Sequence, residues 1–318
     1  MFLRTLLSAA FILVATAAAP VQSQELAEGD LVGTNSTYTV SSGDTLSAIA
    51  RKNKVGFVEL VAANPEVKSS VIKAGQSLVV PGQHLMPAAE RQGIVVNLAA
   101  LRLFRFADDG TVFTFPISVG REGWDTPTGS TQVVLKRKDP TWTVPASIRA
   151  ENPKLPAVMP AGPENPLGQY ALSLGWPGYL IHGTDKPSSV GRPSSHGCMR
   201  MYPEDIETLF GTVAVGDTVT VVDTPITLGQ SGGTLYLQVT PTREQAKLIA
   251  AFQPVFPLTA ADTPVMELTI ELSTLKAAGA EIDDNAVEEA IARHDGMPVP
   301  IGNAPEDYNT ASHSVNQT

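Results

Sequence analysis

This chain of 318 residues is short of cysteine, of aromatic residues and of positive charge. Its one cysteine, Cys198, cannot form an internal disulfide, so oxidative cross-linking does not hold the fold together. Aromatics are 6% of the residues, while Gly (26) and Pro (25) are abundant, a composition that fits many turns and short strands. Lys and Arg number 22 against 32 Asp and Glu, a net charge of −10, which makes a nonspecific nucleic-acid binder a poor candidate. Beyond the N-terminus no apolar run is long enough to hold the chain in a bilayer. No internal repeat and no nucleotide-phosphate loop is present. What is there, 43% apolar and 17% charged residues, suits a folded soluble protein with room for two domains.

The first 23 residues read as a cleaved signal peptide. Arg4 supplies the positive start, and Leu6 to Ala19 is apolar, small and too short for a comfortable span. Val21-Gln22-Ser23 is a suitable processing site, giving a mature start near Gln24. An uncleaved anchor is the alternative. Export sharpens the meaning of Cys198. In an oxidising compartment a solitary thiol is exposed to damage, so its retention argues for chemistry over packing as a small buried apolar group.

Residues 24–37 read as a polar linker. Residues 38–82 then form a small unit: strand Tyr38-Thr39-Val40, turn Ser42-Gly43-Asp44, a helix from Leu46 to Lys52 capped by Asp44 or Thr45, and a second helix over 57–63 stopped at Asn64-Pro65. A last strand ends at Pro81. Tyr38-Thr39-Val40, Gly43-Asp44-Thr45-Leu46, Ile49-Ala50, Leu60, Asn64-Pro65, Ile72, Gly75-Gln76 and Leu78 to Pro81 resemble the LysM module. That resemblance implies binding to N-acetylglucosamine-containing chains such as peptidoglycan; an inert spacer is the bland alternative.

A polar connection is expected over 82–92, then a strand-rich region over 93–226. Strands are predicted near 94–98, 101–106, 112–119, 131–136, 171–174, 179–182 and 217–222, with a hairpin turn at Asp108-Asp109-Gly110 and a helix from Pro203 to Phe210. This is a mainly β unit, closed or sandwiched. Residues 139–168 hold seven prolines and read as a long structured loop, the kind that forms lids or binding surfaces. Residues 227–295 form an extension of unknown role, with a strand at 235–239 and helices over 243–252 and 281–293. The tail 296–318 is expected to be disordered.

Cys198 sits in Ser195-His196-Gly197-Cys198-Met199-Arg200-Met201, sixteen positions after His182. The intervening Pro-, Ser- and Gly-rich stretch can fold back and bring thiol and imidazole together. Such a pair makes Cys198 a nucleophile and one histidine its base. His182, on a separate element, is better placed to approach the sulfur; His196, in the same tight turn, suits a hydrogen-bonding or oxyanion role. The Gly183 carbonyl is a candidate to orient His182. The N–H groups of Gly197 and Cys198 are candidates for the oxyanion. Arg200 can clamp a substrate carboxylate or make a surface ion pair. A zinc site on His182, His196 and Cys198 is the runner-up chemistry, although the spacing lacks the usual pairs; no cofactor is expected.

These residues, with Asn97-Leu98, Leu101, Thr126-Pro127-Thr128-Gly129, Asn165-Pro166-Leu167-Gly168, His182-Gly183-Thr184 and Gly191, resemble the L,D-transpeptidase (YkuD-type) catalytic domain. The resemblance implies a β-sandwich-like fold, Cys198 as nucleophile with His182 as base, and Tyr170, Ser195 and Arg200 on the substrate side. It implies attack on a tetrapeptide stem after diaminopimelate, release of terminal D-alanine, acyl transfer to an amine, and reaction with carbapenems. The chain is similar to the periplasmic subgroup with an N-terminal LysM module, whose members join either a second diaminopimelate or an outer-membrane protein to the wall. An inactive wall-binding protein and a cysteine L,D-carboxypeptidase are the other readings.

Overall fold

The computed structural model describes residues 25–26, 29–306 and 308; the signal segment expected over 1–23 lies outside them. The region expected to be a linker is not loose. β1 (Glu25–Leu26) adds to the main sheet beside residues 111–112, and β2 (Leu31–Val32) pairs with residues 84–85. Leu31 and Val32 are buried, a two-residue apolar signal too short to read as a strand.

The LysM unit follows as β3 (Ser36–Thr39), α1 (Leu46–Lys52), α2 (Phe57–Ala62) and β4 (Ser77–Val80). Thr45 caps α1 by accepting the Ala48 N–H. Leu46, Ile49 and Ala50 are buried on the face their helical spacing selects. Asn64 ends α2 and ties it to the sheet: its side chain donates to the Leu60 and Val79 carbonyls and accepts the Val79 N–H. Next comes β5 (His84–Leu85), the partner of β2. The connection expected to be polar over 82–92 therefore buries His84, Leu85 and Met86.

The middle of the chain closes into a barrel. Its strands are β6 (Gly93–Asn97), β7 (Arg102–Phe106), β8 (Thr111–Gly120) and β9 (Gly129–Lys138). Residues 139–168, expected to be a loop, contain the short ribbon β10 (Trp142–Thr143) and β11 (Val158–Met159), with α3 (Ala146–Glu151) between them. The high proline content hid these elements, because each is too short to show a period. Then follow β12 (Tyr170–Leu174), β13 (Leu180–His182), β14 (Pro193–Ser195), β15 (Met199–Met201), α4 (Pro203–Thr212) and β16 (Thr218–Val222). The ring runs β8-β15-β13-β12-β9-β16-β6-β7 and returns to β8, with β1 and β14 attached at β8. β7 mixes two arginines with three apolar residues. The whole strand is buried, and its arginines find partners inside: Arg105 donates to the Thr212, Gly93 and Phe106 carbonyls.

The LysM unit is welded to the barrel. Arg102 of β7, 1% exposed, makes a bidentate pair with Glu59 of α2 at 2.8 and 2.7 Å. Glu59 also accepts the Gly56 N–H at the start of α2. Arg51 and Lys54 pair with Glu204 and Asp205, which open α4. The Val58 N–H donates to the Gly191 carbonyl. Gly191 has φ +75, and a Cβ there would lie 2.2 Å from the Phe57 nitrogen, so only glycine admits this contact. Arg192 stacks over the Phe57 ring at 3.3 Å. One apolar core runs through both units.

The C-terminal extension is a third layer. β17 (Ile226–Ser231) and β18 (Thr234–Val239) form a hairpin, followed by α5 (Arg243–Ala250), α6 (Thr263–Ala277), β19 (Glu281–Ile282), α7 (Asp284–Arg293) and β20 (Val299–Asn303). The sheet order is β17-β18-β20-β19, backed by α6 and α7. The start of the tail expected to be disordered is thus an inner strand, with Ile301 fully buried. Residues 309–318 lie outside the described part.

Candidate active site

β13 and β15 run parallel with Ile181 opposite Met199 and His182 opposite Arg200. Side chains alternate across a strand, so this register sorts the cluster. Met199 and Met201 enter the core at 0% exposure, while Cys198, Arg200 and His182 share the opposite face. Gly197 precedes the thiol with φ +97, a backbone state that L side chains resist.

The turn before Cys198 is braced from within. Ser195 Oγ donates to the Cys198 carbonyl at 2.5 Å and accepts the Gly197 N–H at 3.1 Å. Ser195 is fully buried, with its hydroxyl engaged inside the turn. Of the two N–H groups expected to hold an oxyanion, that of Gly197 is engaged by this hydroxyl. Thr126 completes the brace: its hydroxyl donates to the Gly197 carbonyl at 2.8 Å and accepts the Gly120 N–H at 3.0 Å. Thr126 lies in the Thr-Pro-Thr-Gly stretch singled out in the sequence, but a role fixed by contacts seventy residues away leaves no local signal.

His182 is buried at the end of β13, and its Nδ1 lies 2.7 Å from the Gly183 carbonyl. A carbonyl only accepts, so Nδ1 carries the proton and Nε2 keeps its lone pair. Burial, with Arg200 second, holds the imidazole pKa down at about 3; the nearby Gly183, Leu167 and Pro166 carbonyls oppose this only in part. Cys198 is half-buried, and its Sγ lies 3.6 Å from the Gly178 carbonyl. Burial pushes the thiol pKa up, against smaller opposite effects of the Leu180 N–H and Arg200. The resting pair is therefore neutral thiol and neutral imidazole.

A stability consequence follows for pH. His182 is held neutral when folded but titrates near 6.5 when unfolded, so the unfolded chain binds more protons between about pH 6.5 and 3. Stability is full above that window and is lost as pH falls through it, by up to about 1.4 kcal/mol per unit crossed. His84, buried beside Arg102, acts in the same direction. Urea unfolding at pH 7, 5 and 4 checks this; a His182→Gln variant is expected to lose part of the slope.

His196 Nε2 lies 3.0 Å from Glu151 Oε2 and 3.1 Å from Arg121 Nη2, and Trp124 meets its ring edge-on at 4.9 Å. Neither Arg121 nor Glu151 carries any sequence signal for the site. Tyr170 is not brought to the cluster. Ala171 pairs with His182, so alternation turns Tyr170 to the other face, where it is buried against Phe210 with its hydroxyl on Glu207. Among the described residues no group of three or more His, Cys, Asp or Glu side chains is arranged to hold a metal ion.

The L,D-transpeptidase catalytic domain (YkuD) family matches residues 91–221, and the LysM domain matches residues 38–81. The chain is 38% identical over 283 residues to "Probable L,D-transpeptidase YcfS" of Escherichia coli strain K12, covering 85% of each chain. It is 36% identical over 313 residues to "Probable L,D-transpeptidase YbiS" of the same strain, covering 95% of this chain and 99% of that one. It is 35% identical over 282 residues to "Probable L,D-transpeptidase ErfK/SrfK" of Salmonella typhimurium, covering 85% and 87%. With identities at this level along nearly the whole chain, and a thiol and a neutral imidazole on one face of a closed β ring, the protein belongs to the L,D-transpeptidase family and is a peptidoglycan-binding enzyme of that class.

Proposed function

We propose that this chain is a periplasmic L,D-transpeptidase in which Cys198 takes the acyl group of a tetrapeptide stem, releases D-alanine and passes the acyl group to an amine. The observation that carries this reading is that His182 shares a face with Cys198 and turns Nδ1 to the Gly183 carbonyl, so that Nε2 is the nitrogen that can accept the thiol proton. Because both groups rest neutral, the proton moves as sulfur attacks the diaminopimelate carbonyl carbon. The oxyanion takes the Cys198 N–H. His182 then gives its proton to the departing D-alanine nitrogen as the C–N bond breaks, leaving a thioester. An acceptor amine attacks the thioester, gives a proton to His182, and the returning sulfur takes it back. Arg200, on the same face as the thiol, clamps a substrate carboxylate. The acceptor is the amine of a second diaminopimelate or of an outer-membrane protein. Export rests on the pattern of residues 1–23; among the described residues no helix is long and apolar enough to cross a membrane.

Incubation with purified tetrapeptide muropeptides tests the proposal. D-alanine release with a 3→3 dimer, or with a protein–stem conjugate when a protein acceptor is supplied, is the expected product set. Tripeptide alone, formed by water, would mean a carboxypeptidase. Intact mass after carbapenem treatment is expected to show one adduct, carried by the peptide containing Cys198.

A further inference from the structure

At the turn that carries the thiol, a carboxylate is already bound, and it belongs to the protein. Glu151, the last residue of α3, sets both oxygens against Arg121 Nη2, at 3.0 and 2.8 Å. Its Oε2 also lies 3.0 Å from His196 Nε2. The two halves of this contact are held very differently. Arg121 and His196 are fixed to the reactive turn: the Arg121 N–H donates to the Ser195 carbonyl, its own carbonyl accepts the Trp124 N–H, and Trp124 holds the imidazole edge-on. Glu151 arrives from the ribbon over 139–168, on a helix with no buried residue and no side-chain cap at its start. The ion pair itself is open to water, with Arg121 and Glu151 side chains 41% and 43% exposed, and such pairs hold weakly.

We infer that Arg121 and His196 form a binding site for a peptide carboxylate, and that Glu151 fills it until substrate arrives. This rests on the transpeptidase reading and extends it to a substrate-recognition residue, Arg121, outside the thiol motif. A guanidinium and an imidazole aimed at one planar pair of oxygens suit a carboxylate. The chemistry supplies one at the right range. The carboxylate of a C-terminal D-alanine is joined through one carbon to the nitrogen that leaves, and His196 is two residues from the attacking sulfur, at most about 7 Å of chain. Arg200 lies on the His182 side of Cys198 and remains free to take a second carboxylate of the stem. Entry of the substrate displaces Glu151, and the ribbon over 139–168 lifts from the turn with it.

Calorimetry with the full-length chain carrying Cys198→Ala, which cannot turn the peptide over, tests this without relying on catalysis. The probes are a synthetic tetrapeptide stem with a free C-terminal acid and the same peptide as its C-terminal amide. The acid is expected to bind roughly tenfold tighter than the amide, the scale of a charge-assisted contact. Adding Arg121→Gln should erase that preference, whereas Arg200→Gln should keep it. Adding Glu151→Gln should tighten the acid severalfold and leave the amide unchanged. Equal binding of acid and amide, binding of neither, or a preference that survives Arg121→Gln overturns the site. An unchanged acid affinity in Glu151→Gln overturns its occupation by Glu151. Failure of the transpeptidase reading shows separately, as no D-alanine released by the cysteine-containing enzyme.

Discussion

Replacing Cys198 with alanine is expected to remove acyl transfer and leave attachment to the wall intact. Transfer should fall by at least about four orders of magnitude, because no other group on this face can form the thioester. Binding to isolated sacculi should be unchanged, since the hydrogen bond Cys198 makes is to Gly178 of the barrel and not to the LysM unit. The fold should tolerate the change: the thiol is half-buried, and its hydrogen bond to the Gly178 carbonyl is long, at 3.6 Å. Assays of D-alanine release and of sacculus pull-down on one preparation separate the two properties. Transfer retained at even a hundredth of the parent rate would falsify the assignment of the nucleophile.

The second large effect concerns stability. Glu59→Ala leaves Arg102, 1% exposed, with Thr114 Oγ1 as its remaining side-chain partner at 3.0 Å. A buried charge stripped of its counter-ion costs about 3–5 kcal/mol, and the lost acceptor at the start of α2 adds about 1 kcal/mol. For a chain of this size that lowers the Tm by about 10 °C. Scanning calorimetry gives the value. Substituting both partners, Glu59→Met with Arg102→Leu, should recover most of the loss, because a matched apolar pair needs no counter-charge. If Glu59→Ala melts with the parent, the pair contributes nothing and the weld is held by packing alone.

How much of this was legible in sequence depends on the range of the interaction. The LysM helices could be read because their signals are local: Thr45 caps, Leu46 and Ile49 repeat at helical spacing, and Asn64-Pro65 stops the second helix. The thiol motif could be read because Ser195, His196, Gly197, Cys198 and Arg200 are packed into six positions. The roles inside it were less legible. That Ser195 turns inward depends on Gly197 and Cys198 backbone atoms, and that Tyr170 packs against Phe210 depends on which strand lies beside β13. Thr126, Arg121 and Glu151 reach the turn across long stretches of chain, and a single sequence carries no record of such pairings. The same reason explains β20. Val299-Pro300-Ile301 is a strand only because β18 and β19 flank it; alone, its Pro- and Asn-rich surroundings read as an unstructured end.

The Gly191 contact has an outcome for how the enzyme travels. Its carbonyl takes the Val58 N–H, and the absence of a side chain there lets the two backbones touch. The LysM unit consequently has no leash on which to swing. Grip and blade sit at one set reach, like the jaws of a fixed caliper. On the proposed function, such an enzyme reaches only those stems that protrude at that distance from the strand its LysM unit holds.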